Sequence, residues 1–517
     1  MSASRTKNIA RNLVFATISK VYNLLVPFVI RTAFIYLLGM EYLGLNSLFT
    51  SVLSVLSLAE LGVGSALTFS MYKPIAENDT ARICALMHLY KIYYRVIGLV
   101  ILLLGIAVTP FLPYLIKQDL PPDVNLYVLY YLNLMTTVIS YWLFAYKNCL
   151  LFAHQRNDIG DKLSLIISTI RYILQIVVLF AFRNYYAYII VALVMGAVNN
   201  IVTAVVVDRL YPQYKAVGKL PKEEIKVING RVRDLFTSKI GGIVYDSADT
   251  IVISAFLGLT ALAQYQNYFY IMNTVFGFVT MITGSSLASV GNSLVVDSEK
   301  KNFHDLKKFT FIISWLSGFC ICCFACLYQP FMELWVGKEN MLPYGMVIII
   351  CIYFYIRQIN NLLCFYKDAA GMWHEDRWRP LAASLTNLVI NLILVQFWGL
   401  YGILISTVAA MLFVGMPWLF HNLFTVVFRC NPKKYILGIL GFALLIACVT
   451  AVCVGICSFI SFDSLILTFL ARLVICAIIP NGIFFILFRK NVYFKALVAM
   501  AVQLAGGKFK FLEKLAK

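Results

Sequence analysis

Long apolar runs separated by short polar segments fill the chain from about residue 12 to about residue 489. A membrane-crossing helix needs about 20 predominantly apolar residues. Runs of that order occur at 12–38, 43–70, 88–116, 124–152, 160–182, 185–208, 232–257, 262–293, 305–329, 342–367, 378–398, 400–428, 433–459 and 463–489. They predict fourteen transmembrane helices. Several are longer than a bilayer requires, which predicts tilt or protrusion. The break between the eleventh and twelfth runs rests on Trp398-Gly399-Leu400-Tyr401-Gly402 alone. The first run follows Arg5, Lys7 and Arg11, is too long for a signal-peptide core and has no small-residue cleavage site, so it reads as a retained helix.

Composition agrees with the pattern. Of 517 residues 61% are hydrophobic and 13% charged, whereas soluble domains carry about 25% charged residues. Lipid must therefore solvate most of the chain. The net charge of +19 would suit nucleic acid if the cations formed a continuous basic domain. They fall instead in short segments between apolar runs, where anionic lipid headgroups are the simpler partner.

Their distribution also sets an orientation. With the N-terminus inside, only Lys117, Arg183 and Lys338 fall in outer loops, and Arg31, Arg171, Arg357 and Arg472 lie within helices. The remaining Lys and Arg residues lie on inner segments and inner helix ends, which places both termini in the cytoplasm.

The longest polar connection, 209–231, carries Arg209, Lys215, Lys219, Lys222, Lys226 and Arg231. It divides the chain into a lobe at 1–208, the basic connection at 209–231, a second lobe at 232–428, two further helices at 429–490 and a basic tail at 491–517. The second lobe restarts the first. Ser19-Lys20 matches Ser238-Lys239, and Leu38-Gly39 matches Leu257-Gly258 at the same spacing. Gly64-Ser65-Ala66-Leu67 matches Gly284-Ser285-Ser286-Leu287 one residue further on. Six helices per lobe is an even number, so both lobes insert in the same direction. The expected architecture is all-α, with two six-helix bundles related by a pseudo-two-fold axis along the membrane normal and a cavity between them.

Ionisable groups at membrane depth are expensive and mark candidate sites. Arg171, Asp246, Asp249 and Arg357 fall near the midplane, Arg31 in the outer third of helix one and Glu60 in the inner half of helix two. Several have polar neighbours at helical spacing. These are Ser164, Ser168, Arg171 and Gln175; Lys239, Gly242, Asp246 and Asp249; Tyr353, Arg357, Asn360 and Asn361; Ser384, Asn387 and Asn391; Asn23, Pro27 and Arg31; and Gln266, Tyr270 and Asn273. Such stripes could simply tie helices together, with Arg171 paired to Asp246 or Asp249. Taken as a set, they predict a hydrated cationic cavity suited to an anionic substrate, because arginine forks match phosphate oxygens. Arg31, Arg171, Arg357, Asn360, Asn387 and Tyr270 are the candidate substrate contacts. Glu60, Asp246 and Asp249 are the candidates for a proton or Na⁺.

Other chemistry is not signalled. Cys320, Cys322, Cys323 and Cys326 sit in one apolar helix with no His or carboxylate beside them, so they read as small packing residues rather than metal ligands. His154, His304, His374 and His421 fall at or near inner helix ends and read as interfacial. No Walker A, HExxH or GxSxG pattern occurs, and no cofactor is expected beyond a coupling ion.

The run Leu58-Ala59-Glu60-Leu61-Gly62-Val63-Gly64-Ser65-Ala66-Leu67, the preceding Tyr42-Leu43-Gly44-Leu45 and the segment Asp249-Thr250-Ile251-Val252-Ile253-Ser254 resemble bacterial polysaccharide-biosynthesis flippases of the Wzx type. These belong to the superfamily that includes MATE-type multidrug extruders and the lipid II flippase. The resemblance implies two six-helix bundles, alternating access, and a bacterial cytoplasmic membrane location. It also implies an undecaprenyl-pyrophosphate-linked oligosaccharide moved to the outer leaflet, with other polysaccharide-assembly proteins as partners. The alternatives are a cation-coupled small-molecule exporter on the same architecture, which a positive cavity disfavours, and an oligosaccharide polymerase or ligase, which would need a large outer loop.

Overall fold

The computed structural model describes Tyr22 and residues 24–117, 120–284, 287–495 and 498; the side chains of 237–239, 246, 282, 283, 288 and 289 are outside the described set. Helices follow one another with short connections, and no strand occurs among the described residues. Among the described residues, eleven helices are long and apolar enough to cross a membrane, or twelve when the bent pair Leu126–Trp142 and Ala145–Ala153 is one span. The other two predicted positions hold the shorter helix α1 (Leu24–Leu37) and the pair α10 (Leu259–Gly284) and α11 (Leu287–Val296). The chain is thus a multi-pass α-helical membrane protein.

The chain divides into two compact units, Met1–Ala263 and Gln264–Lys517. The first holds α1, α2 (Met40–Leu56), α3 (Val63–Ala76), α4 (Thr80–Val108), α5 (Leu126–Trp142), α6 (Asn148–Ala153), α7 (Asn157–Phe182), α8 (Tyr185–Leu210) and α9 (Lys222–Leu257). Polar caps begin several of these. The Asp79 side chain accepts from Arg82 N–H at 3.0 Å, and Asn184 accepts from Ala187 N–H at 3.0 Å, satisfying donors that a helix start leaves open. Because α9 begins at Lys222, the basic connection is shorter than 209–231, and its second half is helical.

Small residues set the closest approaches, as expected where lipid supplies no hydrophobic drive between helices. A Cβ on Gly44 of α2 would sit 2.1 Å from the Leu259 carbonyl oxygen. Two predicted single spans are interrupted. The second helix breaks into α2, a 3-10 turn (Ser57–Glu60) and α3, with Gly62 in the left-handed region at φ 87°. The fourth bends by 46° between α5 and the short helices at 145–153, where Phe144 takes φ 56°.

The second unit is built on α12 (Glu299–Val336), which packs against α13 (Tyr344–Ala369), α18 (Lys433–Ser458) and α19 (Leu465–Phe488). A one-turn helix α14 (Trp373–Asp376) leads into the hairpin of α15 (Arg379–Trp398) and α16 (Leu400–Ala410). A Cβ on Gly402 would lie 2.4 Å from the Leu394 carbonyl oxygen, so this hairpin depends on a bare Cα. The twelfth span continues through a π turn (Met411–Gly415), α17 (Met416–Asn422) and a second π turn (Leu423–Val427). Pro417 lacks the N–H that would bond back one turn and crowds that carbonyl, which accounts for the first widened turn.

Candidate functional site

Two predicted arginines of the first unit converge. Arg31 lies on α1 and Arg171 on α7, and both guanidinium groups are within electrostatic reach of the Tyr188 hydroxyl on α8. Tyr22, ahead of α1, shares a 2.5 Å hydrogen bond between its hydroxyl and that of Thr169 on α7. Gln175 Nε2 donates to the Tyr188 carbonyl at 3.4 Å, joining α7 to α8. Phe34 meets the Tyr188 ring edge-on at 5.1 Å. Arg171 lies 4.7 Å over the Tyr172 ring, and its Nε is buried with no hydrogen-bond partner among the described residues. No ion pair involves Arg171 among the described residues. An arginine with an unspent donor at membrane depth is costly unless something else receives it.

Glu60 is the best-defined carboxylate of this unit. It ends the 3-10 turn at the break in the second helix. Tyr94 of α4 donates to its Oε1 at 3.1 Å, and Tyr90 donates to Tyr94 at 2.8 Å. The Tyr94 ring meets Tyr141 edge-on at 5.4 Å. Gly64 makes room for this cluster, since a Cβ there would lie 2.9 Å from the Tyr90 hydroxyl. A carboxylate followed by two phenols in series can hold a proton or, with its oxygens, a small hard cation. The tyrosines come from distant sequence, so nothing local to Glu60 signalled them. On α9, Asp249 is buried beside Ser247, Thr250 and Ser254. The side chains of Asp246 and Lys239, and all of Asn23, lie outside the described residues.

In the second unit Arg357 of α13 donates through Nη1 to Asn273 Oδ1 of α10. Its guanidinium lies 4.2 Å from the Phe276 ring centroid and 5.7 Å from that of Tyr353. Asn360, one turn along, gives its amide to Cys364 Sγ at 3.9 Å and leaves Oδ1 buried without a partner among the described residues. Tyr270 is half-buried on α10. Asn387 and Asn391 are fully buried on α15. The Ser406 hydroxyl sits between Asn391 Oδ1 and the Ile403 carbonyl (2.8 Å), and Thr407 Oγ1 donates to the same carbonyl at 2.9 Å. Of the α15 stripe, Asn391 thus makes a polar contact within the α15–α16 hairpin.

Sequence reasoning missed an apolar cleft of about 1010 Å³ in this unit, lined among others by Ile352, Ile356, Leu412, Met416, Ile436 and Leu440. It lies between α13, the π-interrupted twelfth span and α18. Its lining suits hydrocarbon and offers almost nothing to a sugar.

A family model described as polysaccharide biosynthesis protein matches residues 9–288, more than half of the chain. The chain belongs to the polysaccharide biosynthesis protein family. Among solved structures, the lipid II flippase MurJ in an inward closed conformation matches with a TM-score of 0.70 at 14% identity, covering 92% of this chain and 99% of MurJ. An inward-facing multidrug-resistance MATE transporter of the MOP superfamily matches with a TM-score of 0.59 at 13% identity, covering 78% of this chain and 94% of that one. A Vibrio cholerae MATE transporter, VcmN, matches with a TM-score of 0.54 at 14% identity, covering 82% and 99%. No curated protein matches. At these identities the neighbours speak to fold alone, and that fold is the MurJ- and MATE-like one the sequence implied.

Proposed function

We propose that this family member is a flippase that carries undecaprenyl-pyrophosphate-linked oligosaccharides from the cytoplasmic to the outer leaflet of a bacterial inner membrane, by alternating access and with both termini in the cytoplasm. The carrying observation is the Arg31–Arg171 pair around Tyr188, with the buried Nε of Arg171 left without an acceptor among the described residues. Phosphate oxygens supply the missing acceptors, and arginine keeps its charge in such a site. Arg357, Asn360, Asn387 and Tyr270 of the second unit are assigned as contacts for phosphate and sugar groups. The apolar cleft offers a surface for the polyprenyl chain. Glu60 with Tyr94 and Tyr90, together with Asp249 and Asp246, is assigned to the coupling proton or Na⁺. Other polysaccharide-assembly proteins would act before and after the flip.

A cation-coupled drug exporter shares the architecture, but an arginine pair at membrane depth repels cationic drugs. The test is glycan display on the outer leaflet in cells whose only copy is Arg31→Ala/Arg171→Ala, at matched protein levels. A charge-assisted hydrogen bond contributes about 1.5–3 kcal/mol, so loss of both should weaken handling of the substrate by more than tenfold. Undiminished export would overturn the assignment.

A further inference from the structure

Three cysteines from three helices meet in the second unit. Sγ atoms of Cys326 (α12), Cys457 (α18) and Cys476 (α19) all lie within 4.8 Å of one another, and all three residues are buried. The thiols continue one helical turn along, where Cys453 of α18 reaches Cys322 of α12. Cys322 and Cys326, like Cys453 and Cys457, are four residues apart and share a helix face. Cys476 also donates to the Cys322 carbonyl at 3.7 Å. Sequence alone displayed only the four cysteines of α12 and gave no sign that α18 and α19 bring partners to them.

A second, independent feature sits beside the triad. Arg472, on the face of α19 one turn from Cys476, directs Nε and Nη2 to the Ile460 carbonyl at 3.3 and 3.1 Å. Its guanidinium is within electrostatic reach of the Cys457 thiol. Of Arg31, Arg171, Arg357 and Arg472, it alone has no role in the transport reading.

We infer that Cys326, Cys457 and Cys476 form a soft-metal site that takes copper(I). A trigonal ion with metal–sulfur bonds of about 2.3 Å places its sulfurs about 4.0 Å apart, so the three thiols need to close only slightly around it. Three sulfur donors with no His or carboxylate select copper(I) over zinc, which takes a fourth ligand, and over the hard cations, which take oxygen. Binding is Cu⁺ plus three thiols, giving copper held by two thiolates and one thiol with release of two protons. That complex carries one negative charge, and Arg472 offsets it, so the buried assembly is neutral overall. Because the ligands come from three helices, the ion fastens α18 and α19 to α12.

The test uses the full-length protein, reduced and purified without oxygen, and titrated with copper(I) against a thiol competitor. The expected result is one copper per chain with thiolate-to-copper luminescence, lost in Cys326→Ala, Cys457→Ala and Cys476→Ala and kept in Cys448→Ala, which removes an exposed thiol of the same helix as Cys457. Arg472→Gln should weaken binding by about 10–100-fold, as loss of a metal's supporting charge does. Copper should raise the melting temperature of the parent and of Cys448→Ala only, a readout that separates lost binding from lost folding. Absence of bound copper in the parent, or equal retention by Cys476→Ala and Cys448→Ala, would overturn the assignment.

Discussion

Asp376 is the residue whose removal should harm stability most. Arg379 Nε and Nη2 reach its two carboxylate oxygens at 2.7 and 2.9 Å, a bidentate pair. The side chains are 2% and 9% exposed, so neither charge has water to fall back on. Lys367 adds a weaker contact at 3.6 Å but keeps Asp368 at 2.7 Å, so it is not stranded when Asp376 is lost. Arg379 is stranded, retaining among the described residues only Cys364 Sγ at 3.4 Å. Removing one partner of a buried pair costs about 3–5 kcal/mol, because the survivor is a buried uncompensated charge. For a unit of this size that corresponds to a fall of roughly 10 °C in melting temperature. Asp376→Asn keeps one acceptor and should lose less. Replacing both charges by Leu and Met should be near neutral, because two desolvation costs vanish together. The assay is thermal unfolding in detergent read by a thiol-reactive dye, since Cys322, Cys351 and Cys453 are buried until the unit opens. A parent-like melting temperature for Asp376→Ala, or a double variant as unstable as the single, would refute the reasoning.

Other expectations follow from single features. Gly402→Ala should destabilise the α15–α16 hairpin by several kcal/mol, since a Cβ would lie 2.4 Å from a backbone oxygen; parent-like thermal unfolding would contradict it. Arg357→Lys should restore only part of the glycan export lost in Arg357→Ala, because it keeps the charge and loses the planar fork, as outer-leaflet glycan display would record. Glu60→Gln should change the dependence of transport on ΔpH or Na⁺, and a parent protein that transports without either would remove the basis for that role. A cysteine placed at Lys219 should resist an impermeant reagent added outside intact cells, and outside labelling would reverse the proposed orientation.

The positions of the spans were legible because lipid imposes a length and a composition on every crossing. What the helices do inside was less so. Glu60 stood out as a charge, but Tyr90, Tyr94 and the helix break at Gly62 make it a site, and the tyrosines arrive from α4 with no local signal. The bend at Phe144 carries neither Gly nor Pro, so a continuous 124–152 helix was the natural expectation. Asp376 and Arg379 read as ordinary charges at a helix end, and only folding shows that they bury each other. The arginine stripe on α7 was legible as a stripe, whereas its meeting with Arg31 at Tyr188 depended on which faces of α1, α7 and α8 turn together.

The internal repeat rests on short matches that chance can also produce, and backbone geometry now gives one of them physical content. Gly39, between α1 and α2, has φ 111° and ψ 174°. Gly258, its partner in the repeat, lies between α9 and α10 with φ 96° and ψ 176°. A side chain at such angles is strained, so each position requires glycine, and each joins two helices through the same rare backbone conformation. A pair of bare Leu-Gly dipeptides carries little information. A pair that adopts one rare conformation, each between two consecutive helices, points to one helix–helix junction used twice. Superposing 24–56 on 243–275 as isolated segments tests this directly. Coincidence of both helices on superposition would support duplication, and a mismatch in the angle between the two helices would leave Gly39 and Gly258 as independent solutions to the same junction.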